Sequence, residues 1–329
     1  MAADIHEQLT KYVADAHSIE VQALAQLESA PDAAKEPGFE QALREHRTET
    51  ERHERLTRQL LEERDASPSK LEDMVMKVGG KGFLAFARVQ PDTPGKLLAH
   101  SLSYEALENA VYELLARTGD RAGEADVSTI AREIGGDERA MMSRLEQCYD
   151  PVVEVSLREV GRDDLQEQLR KYLADAHAIE QQAITMLETR PTAPGNRTDH
   201  EIDQVYEEHL VETREHGELV KGRLDALGGD PSSIKDAAMR MGALNWSGFF
   251  AGHPDTPGKL AAFTYAFEYL EIGSYEQLKR VARRAGDEAT AAMAERILEQ
   301  ERTAACRIEG MFDLAVTAAL EAVGVAPSR

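Results

Sequence analysis

In each half of this chain, four stretches with helical spacing bring at least one carboxylate to the face that should be buried. The last long stretch carries Met293, Ile297, Glu301, Ala304, Ile308 and Phe312, and its earlier counterpart carries Ile130, Ile134, Glu138, Met141, Leu145 and Tyr149. Another pair sets Glu20 among Tyr12, Ala16, Ala23 and Leu27, and Glu180 among Tyr172, Ala176, Ala183 and Leu187. A third presents His46, Glu49 and His53 against His209, Glu212 and His216, and a fourth presents Glu105, Glu108 and Tyr112 against Glu268, Glu271 and Tyr275. Spacings of three and four residues put these side chains on one helix face. A buried carboxylate without a partner is costly, so four in one core require cations. Lys and Arg are absent from the stripe positions. Metal ions remain as the counter-charge, and carboxylates with one or two imidazoles suit iron or manganese better than copper or a thiolate-preferring metal.

Each residue type also has an ordinary structural use. His17 and His177, three positions before the first glutamate of each half, read better as hydrogen-bond partners of ligands than as ligands. His53 and His216 follow Glu49 and Glu212 by four residues and so share a helix face with them. For His46 and His209 the pattern leaves ligand and supporting roles open. Tyr112 and Tyr275 serve as packing aromatics with a bonded hydroxyl, and a tyrosine beside an oxidising metal can also pass electrons.

The elements that position these groups are written twice. PDTPGKL at Pro91–Leu97 returns unchanged at Pro254–Leu260, 163 positions later, and the same offset runs from His46/His209 to Gly161/Gly324. Earlier the offset is 160, pairing Tyr12 with Tyr172 and Glu20 with Glu180. Two domains follow, residues 1–161 and 162–329. Apolar periodicity predicts helices over Asp4–Ser29, Phe39–Glu63, Thr93–Arg117 and Glu124–Glu159, then over Asp163–Glu188, His200–Leu227, Thr256–Ala285 and Asp287–Val323, with almost no strand alternation. APDAAKEPG and RPTAPGN punctuate the first connections. The second connection of each half is about 30 residues and holds an amphipathic piece, SPSKLEDMVMKVGG or DPSSIKDAAMRMG. Its length predicts a crossover that leaves the second and third helices parallel, as in ferritin-like bundles. The fold class is therefore all-α, two tandem four-helix bundles. The junction at Val160–Asp164 is short enough to predict that they pack together.

Sixty acidic against 38 basic residues give a formal charge of -22, which repels nucleic acid and anionic membrane and attracts metal cations. No stretch reaches the roughly 18 apolar residues of a membrane span, and no basic-then-apolar leader opens the sequence, so the reading is a cytoplasmic protein. Cys148 and Cys306 fall opposite Met311 and Ser143 under the repeat offset and read as reduced spectators.

YLADAHAIEQQAI, EEHLVETREHGELV, HPDTPGKL, FEYLEIGSYEQL and ILEQER in the second half, and more loosely their counterparts in the first, resemble the bacterial ferritin-like proteins of the stress-induced YciF/YciE type, the DUF892 group. The resemblance implies four-helix bundles with a dinuclear iron or manganese centre and a dimeric habit, so that a tandem chain is an internal pseudo-dimer, with further homo-oligomers open. By position it implies the ligands Glu180, Glu212, Glu271 and Glu301, then Glu268 and His216, and in the first half Glu20, Glu49, Glu108 and Glu138, then Glu105 and His53. The usual di-iron pattern has Glu-x-x-His on two helices. Here the second helix has Glu-x-x-x-His and the fourth has no histidine near Glu138 or Glu301, which puts efficient oxygen activation in doubt. Gly135 and Gly136 each cost about 1 kcal/mol relative to Ala in a helix interior, which favours the second centre. The leading expectation is redox of bound iron or manganese with oxygen or peroxide. The alternatives are a metal-free stress protein that binds a partner, and a manganese catalase-like enzyme, for which a second histidine is missing.

Overall fold

The computed structural model describes residues 4–67, 93–158, 162–190, 197–229 and 255–325. Among them the chain forms helices and no strand, in two compact units, Met1–Ser156 with Gly324–Arg329, and Leu157–Val323. The first unit contains α1 (Ile5–Leu27), α2 (Ala30–Ala34), α3 (Pro37–Glu62), α4 (Thr93–Ala122), α5 (Ala125–Glu146) and α6 (Tyr149–Leu157). The second contains α7 (Arg162–Thr189), α8 (Arg197–Ala226), α9 (Thr256–Ala285), α10 (Glu288–Gly310) and α11 (Phe312–Ala322).

Local chemistry sets the ends. The Asp4 side chain accepts from the backbone N–H of His6 at 2.9 Å, and Glu36 accepts from Phe39 at 2.6 Å, so each satisfies an orphan donor of the first turn. Gly123 and Gly286, equivalent in the repeat, close α4 and α9 with φ of +75° and +74°. There the backbone N–H groups of Glu124 and Asp287 donate back to the carbonyls of Gly119 and Ala282 at 2.9 Å each.

Two elements differ from the periodicity. The long segments expected over Glu124–Glu159 and Asp287–Val323 each divide, into α5 and α6 and into α10 and α11. Pro151 has no N–H to donate backward, so it sits in the first turn of a new helix, and Gly310, a poor helix former, ends α10. The punctuated stretch after α1 holds the five-residue α2, which opens with Pro31 in its first turn and closes on Lys35 at φ 54°. The amphipathic pieces expected over Ser67–Gly80 and Asp230–Gly242, apart from Ser67 itself, lie outside the described residues, as do Val160 and Gly161 of the junction.

Contacts fix the helix directions in the first unit. His17 and Glu20 of α1 face Thr57 and His53 of α3, so these two run antiparallel. Arg64, just past α3, donates to Glu124, just past α4, at 3.0 Å, so α3 and α4 run the same way. The parallel direction agrees with the crossover that the length of the connection predicted. The second unit repeats this where Arg223 of α8 donates to Asp287 after α9. Apolar layers seal the bundle centre. Toward the Arg64 end lie Leu9, Val13, Leu60, Leu61, Val127 and Ile134, and toward the other Phe39, Leu43, Leu98, Leu102, Met141 and Leu145, all of them buried.

Gly136 lies in mid-helix with nothing within 4 Å of an added Cβ, whereas Gly286 occupies a left-handed conformation. Gly136→Ala should therefore raise unfolding stability by about 0.5–1 kcal/mol, and Gly286→Ala should lower it by about 1–2 kcal/mol. Urea denaturation of the two variants checks both signs.

Candidate metal centres

The bundle places Glu20 on α1, His46 and His53 two turns apart on α3, Glu105 and Glu108 one turn apart on α4, and Glu138 on α5. All six are buried, with Glu20, His46, His53, Glu108 and Glu138 at 0% exposure. They form two groups, His46–Glu105–Glu108–Glu138 and Glu20–His53–Glu138, each offering donor atoms within 4.8 Å of one another. Glu138 belongs to both. Its Oε1 lies 2.8 Å from Nδ1 of His53, and its Oε2 lies 3.4 Å from Nε2 of His46, which is 2.8 Å from Glu105. The second unit builds the same pair, His209–Glu268–Glu271–Glu301 and Glu180–His216–Glu301, with Glu301 shared.

The polar run on α3 creates no other demand. Thr50 and Thr57 donate to the carbonyls of His46 and His53, one turn back on their own helix, at 2.9 and 3.1 Å. Tyr112 donates to Oε1 of Glu20 at 2.5 Å, and Tyr275 donates to Glu180 in the same way. Each tyrosine thus holds one carboxylate oxygen and leaves the other facing the group. His17 lies 3.2 Å from Thr57 and outside both groups, and His177 is likewise in neither group of its unit.

Two glutamates expected at the centre stand beside it. Glu49 is a third exposed, accepts from both terminal nitrogens of Arg144, and lies 3.0 Å from Nδ1 of His46. Glu212 pairs with Arg307 and lies 3.9 Å from Nδ1 of His209. The structure brings His46 and His209 into the ligand groups and leaves Glu49 and Glu212 outside them, Glu49 bonded to its imidazole and Glu212 only near it. Periodicity missed this because positions three residues apart on a helix differ by about 60° around the axis, enough to turn one inward and the other toward an arginine. The arginines had a signal: Arg144 and Arg307 are equivalent under the 163-residue offset. Asp137, 3.1 Å from Nε2 of His53, carried none, since its equivalent is Gln300.

Electrostatics follow from this burial. Desolvation, reinforced by Glu138, raises Glu20 to about 8. Desolvation, opposed by the neighbouring imidazoles, leaves Glu138 and Glu268 at about 7. Glu108, Glu180 and Glu271 stand well above the usual carboxylate range through burial and the repulsion of neighbouring carboxylates. Burial alone would lower His46, but Glu105 and Glu138 outweigh it and hold the imidazole up. Outside the cluster the sign reverses: burial disfavours the Glu49 carboxylate, yet His46 and Arg144 hold it down at about 2.

The donors fit a cation on grounds of their own. Neither oxygen of Glu108 or Glu271 has a hydrogen-bond partner among the described residues, although both side chains are fully buried. Oε2 of Glu20, Glu180, Glu268 and Glu301 is likewise without a partner among the described residues, while Glu105, Glu138, Glu268 and Glu301 each hold one oxygen 2.8 Å from an imidazole nitrogen. Buried carboxylates normally find donors, and this many without them is the state a metal ion would relieve. Oxygen and imidazole donors without thiolate suit iron and manganese.

An all-helical chain with a carboxylate and imidazole cluster at the centre of each half is the class that this fold and site define, and it is compatible with metal binding. The chain belongs to the family described as Domain of unknown function (DUF892), which matches residues 4–157 and again residues 164–321. The tandem duplication is therefore one family domain repeated. No solved structure matches the chain. Among the described residues no helix is long and apolar enough to cross a membrane.

The raised values fix a pH dependence. A carboxyl whose folded value exceeds its unfolded value contributes stability that is complete below about 4.5 and lost as pH rises through the folded value, here about 7 to 8. His46, also raised, acts with the same sign, and Glu49, lowered to about 2, is constant above about 4.5. Chelator-treated protein should therefore show a thermal midpoint that falls between about pH 5 and about pH 8.5. Added Mn(II) should offset more of that loss at the higher pH, because fewer protons must be displaced. A midpoint of the stripped protein that climbs across the range would overturn the protonated cluster.

Proposed function

We propose that this protein is a cytoplasmic, ferritin-like metalloprotein with up to two dinuclear iron or manganese centres, one in each unit, acting on Fe(II) or peroxide under stress. The observation that carries the reading is the fully buried Glu108 and Glu271, whose carboxylates have no donor, each beside a second ligand group that shares one glutamate. In a metal-free hydrogen-bonded network, the main alternative, those oxygens would have been given donors. Two unpaired cysteines suit a reducing compartment.

When bound, such a centre would supply redox capacity, one electron from each of two Fe(II), enough with two protons to reduce one peroxide to two waters. The chain's residues prepare the place. Glu138 and Glu301, each common to both ligand groups of its unit, would hold metal in either group. Glu108 and Glu271, unencumbered by hydrogen bonds, are free to change how they bind. Tyr112 and Tyr275, bonded to Glu20 and Glu180, fix those carboxylates and set a phenol beside the redox site. The apolar layers on either side exclude bulk water.

Metal analysis after anaerobic Fe(II) loading and removal of loose metal should give about four irons per chain. Glu138→Gln and Glu301→Gln should each reduce this to about two, because each removes the ligand common to both groups of one unit. Near-zero iron, with manganese also failing to bind, would overturn the metal reading and favour a partner-binding bundle.

A further inference from the structure

The two clusters are close copies at the ligands and differ one layer out. In the first unit both imidazoles rest on carboxylates: Nδ1 of His46 lies 3.0 Å from Glu49, and Nε2 of His53 lies 3.1 Å from Asp137. Asp137 is itself held by Arg52, which also pairs with Glu133. In the second unit Nδ1 of His209 stands 3.9 Å from Glu212, beyond hydrogen-bond reach, and Nε2 of His216 is buried without a partner among the described residues.

The difference at His216 is written in the sequence. The repeat places Gln300 opposite Asp137, Glu215 opposite Arg52 and Arg296 opposite Glu133. The carboxylate is replaced by an amide, and the charges of its two supports are exchanged. Oε1 of Gln300 is also buried without a partner.

The consequence concerns which ring nitrogen holds the proton. His53 and His216 both turn Nδ1 toward their ligand groups, 2.8 Å from Glu138 and from Glu301. An imidazole that ligates through Nδ1 must carry its proton on Nε2. At His53 that N–H donates to a charged, anchored acceptor, which fixes the ring and makes Nδ1 a better donor. At His216 the same N–H would be buried with no acceptor. We propose that Asp137 is a positioning residue that makes the first centre the tighter metal site, while the second, lacking it at Gln300, holds metal more weakly at its His216 position. This rests on the metal reading given above. It reverses the expectation drawn from Gly135 and Gly136, which the continuous α5 accommodates: a Cβ added at Gly135 would meet Tyr112 and Asn109 at ordinary contact distance, and one at Gly136 would meet nothing within 4 Å. The chain would then pair a resident centre with an exchangeable one.

The test is Mn(II) titration of the stripped full-length chain by calorimetry, with one centre disabled at a time. The Glu301→Gln chain reports the first centre and the Glu138→Gln chain the second. The first should bind roughly 10–100-fold more tightly. Asp137→Asn in the Glu301→Gln chain should remove most of that advantage, and its side chain is a third exposed, so the core is untouched. Gln300→Asp in the Glu138→Gln chain should tighten binding, with Arg296 one turn earlier placed to hold the new carboxylate. A purely structural role for the position would not produce that gain. Equal affinities that neither substitution moves, with metal still bound, would overturn the inference and leave the metal reading standing. A wild-type chain that binds no Mn(II) or Fe(II) would overturn the metal reading, and this inference with it.

Discussion

The structure turns on the cost of enclosing carboxylates. Each unit buries four glutamates at the centre of its bundle and provides two imidazoles and one tyrosine hydroxyl to meet them. Several oxygens, both of Glu108 and Glu271 among them, have no donor among the described residues. Burying that much negative charge opposes folding unless protons or cations are taken up with it, so the cluster couples stability to occupancy. The apolar layers above and below set the local dielectric, and with it the raised carboxyl values.

The helices are arranged to meet that constraint. One glutamate from each of three helices, a second from the next turn of α4 and two imidazoles from α3 can converge only if α3 and α4 run parallel and α1 and α5 run against them. A long connection after α3 is what this direction requires. The arginines stay outside: Arg144 and Arg307 bind the outer glutamates, which bind or approach the inner imidazoles. Positive charge from these arginines thus reaches the cluster one residue removed.

Duplication lets the molecule be compared with itself. Ligands, tyrosines, outer arginines and the closing glycines Gly123 and Gly286 agree between the copies. Divergence falls on the support of one imidazole, where Asp137, Arg52 and Glu133 face Gln300, Glu215 and Arg296. A change there leaves the donor set intact and alters only how firmly a ring is held, which is how two copies can keep one chemistry and part in affinity.

Most of the fold was legible in the sequence. Helical periodicity located the long helices, the repeated PDTPGKL revealed two copies of one domain, and a glutamate interrupting each apolar stripe marked the buried charge. Ten of the twelve proposed ligands, among them Glu20, Glu138, Glu180 and Glu301, do meet in the clusters. The sequence could not decide between neighbours on one helix face. His46 points inward and Glu49, one turn on, points out to Arg144, because a period of 3.6 fixes a face and the packing of other helices fixes which side chain lies at its centre. Nor could it see Asp137 behind His53, a contact spanning 84 positions that exists only once α3 and α5 pack together. The sequence by itself determined which groups are buried. Only the tertiary structure decided which of them face one another, since that depends on distances between helices that no spacing along one helix contains.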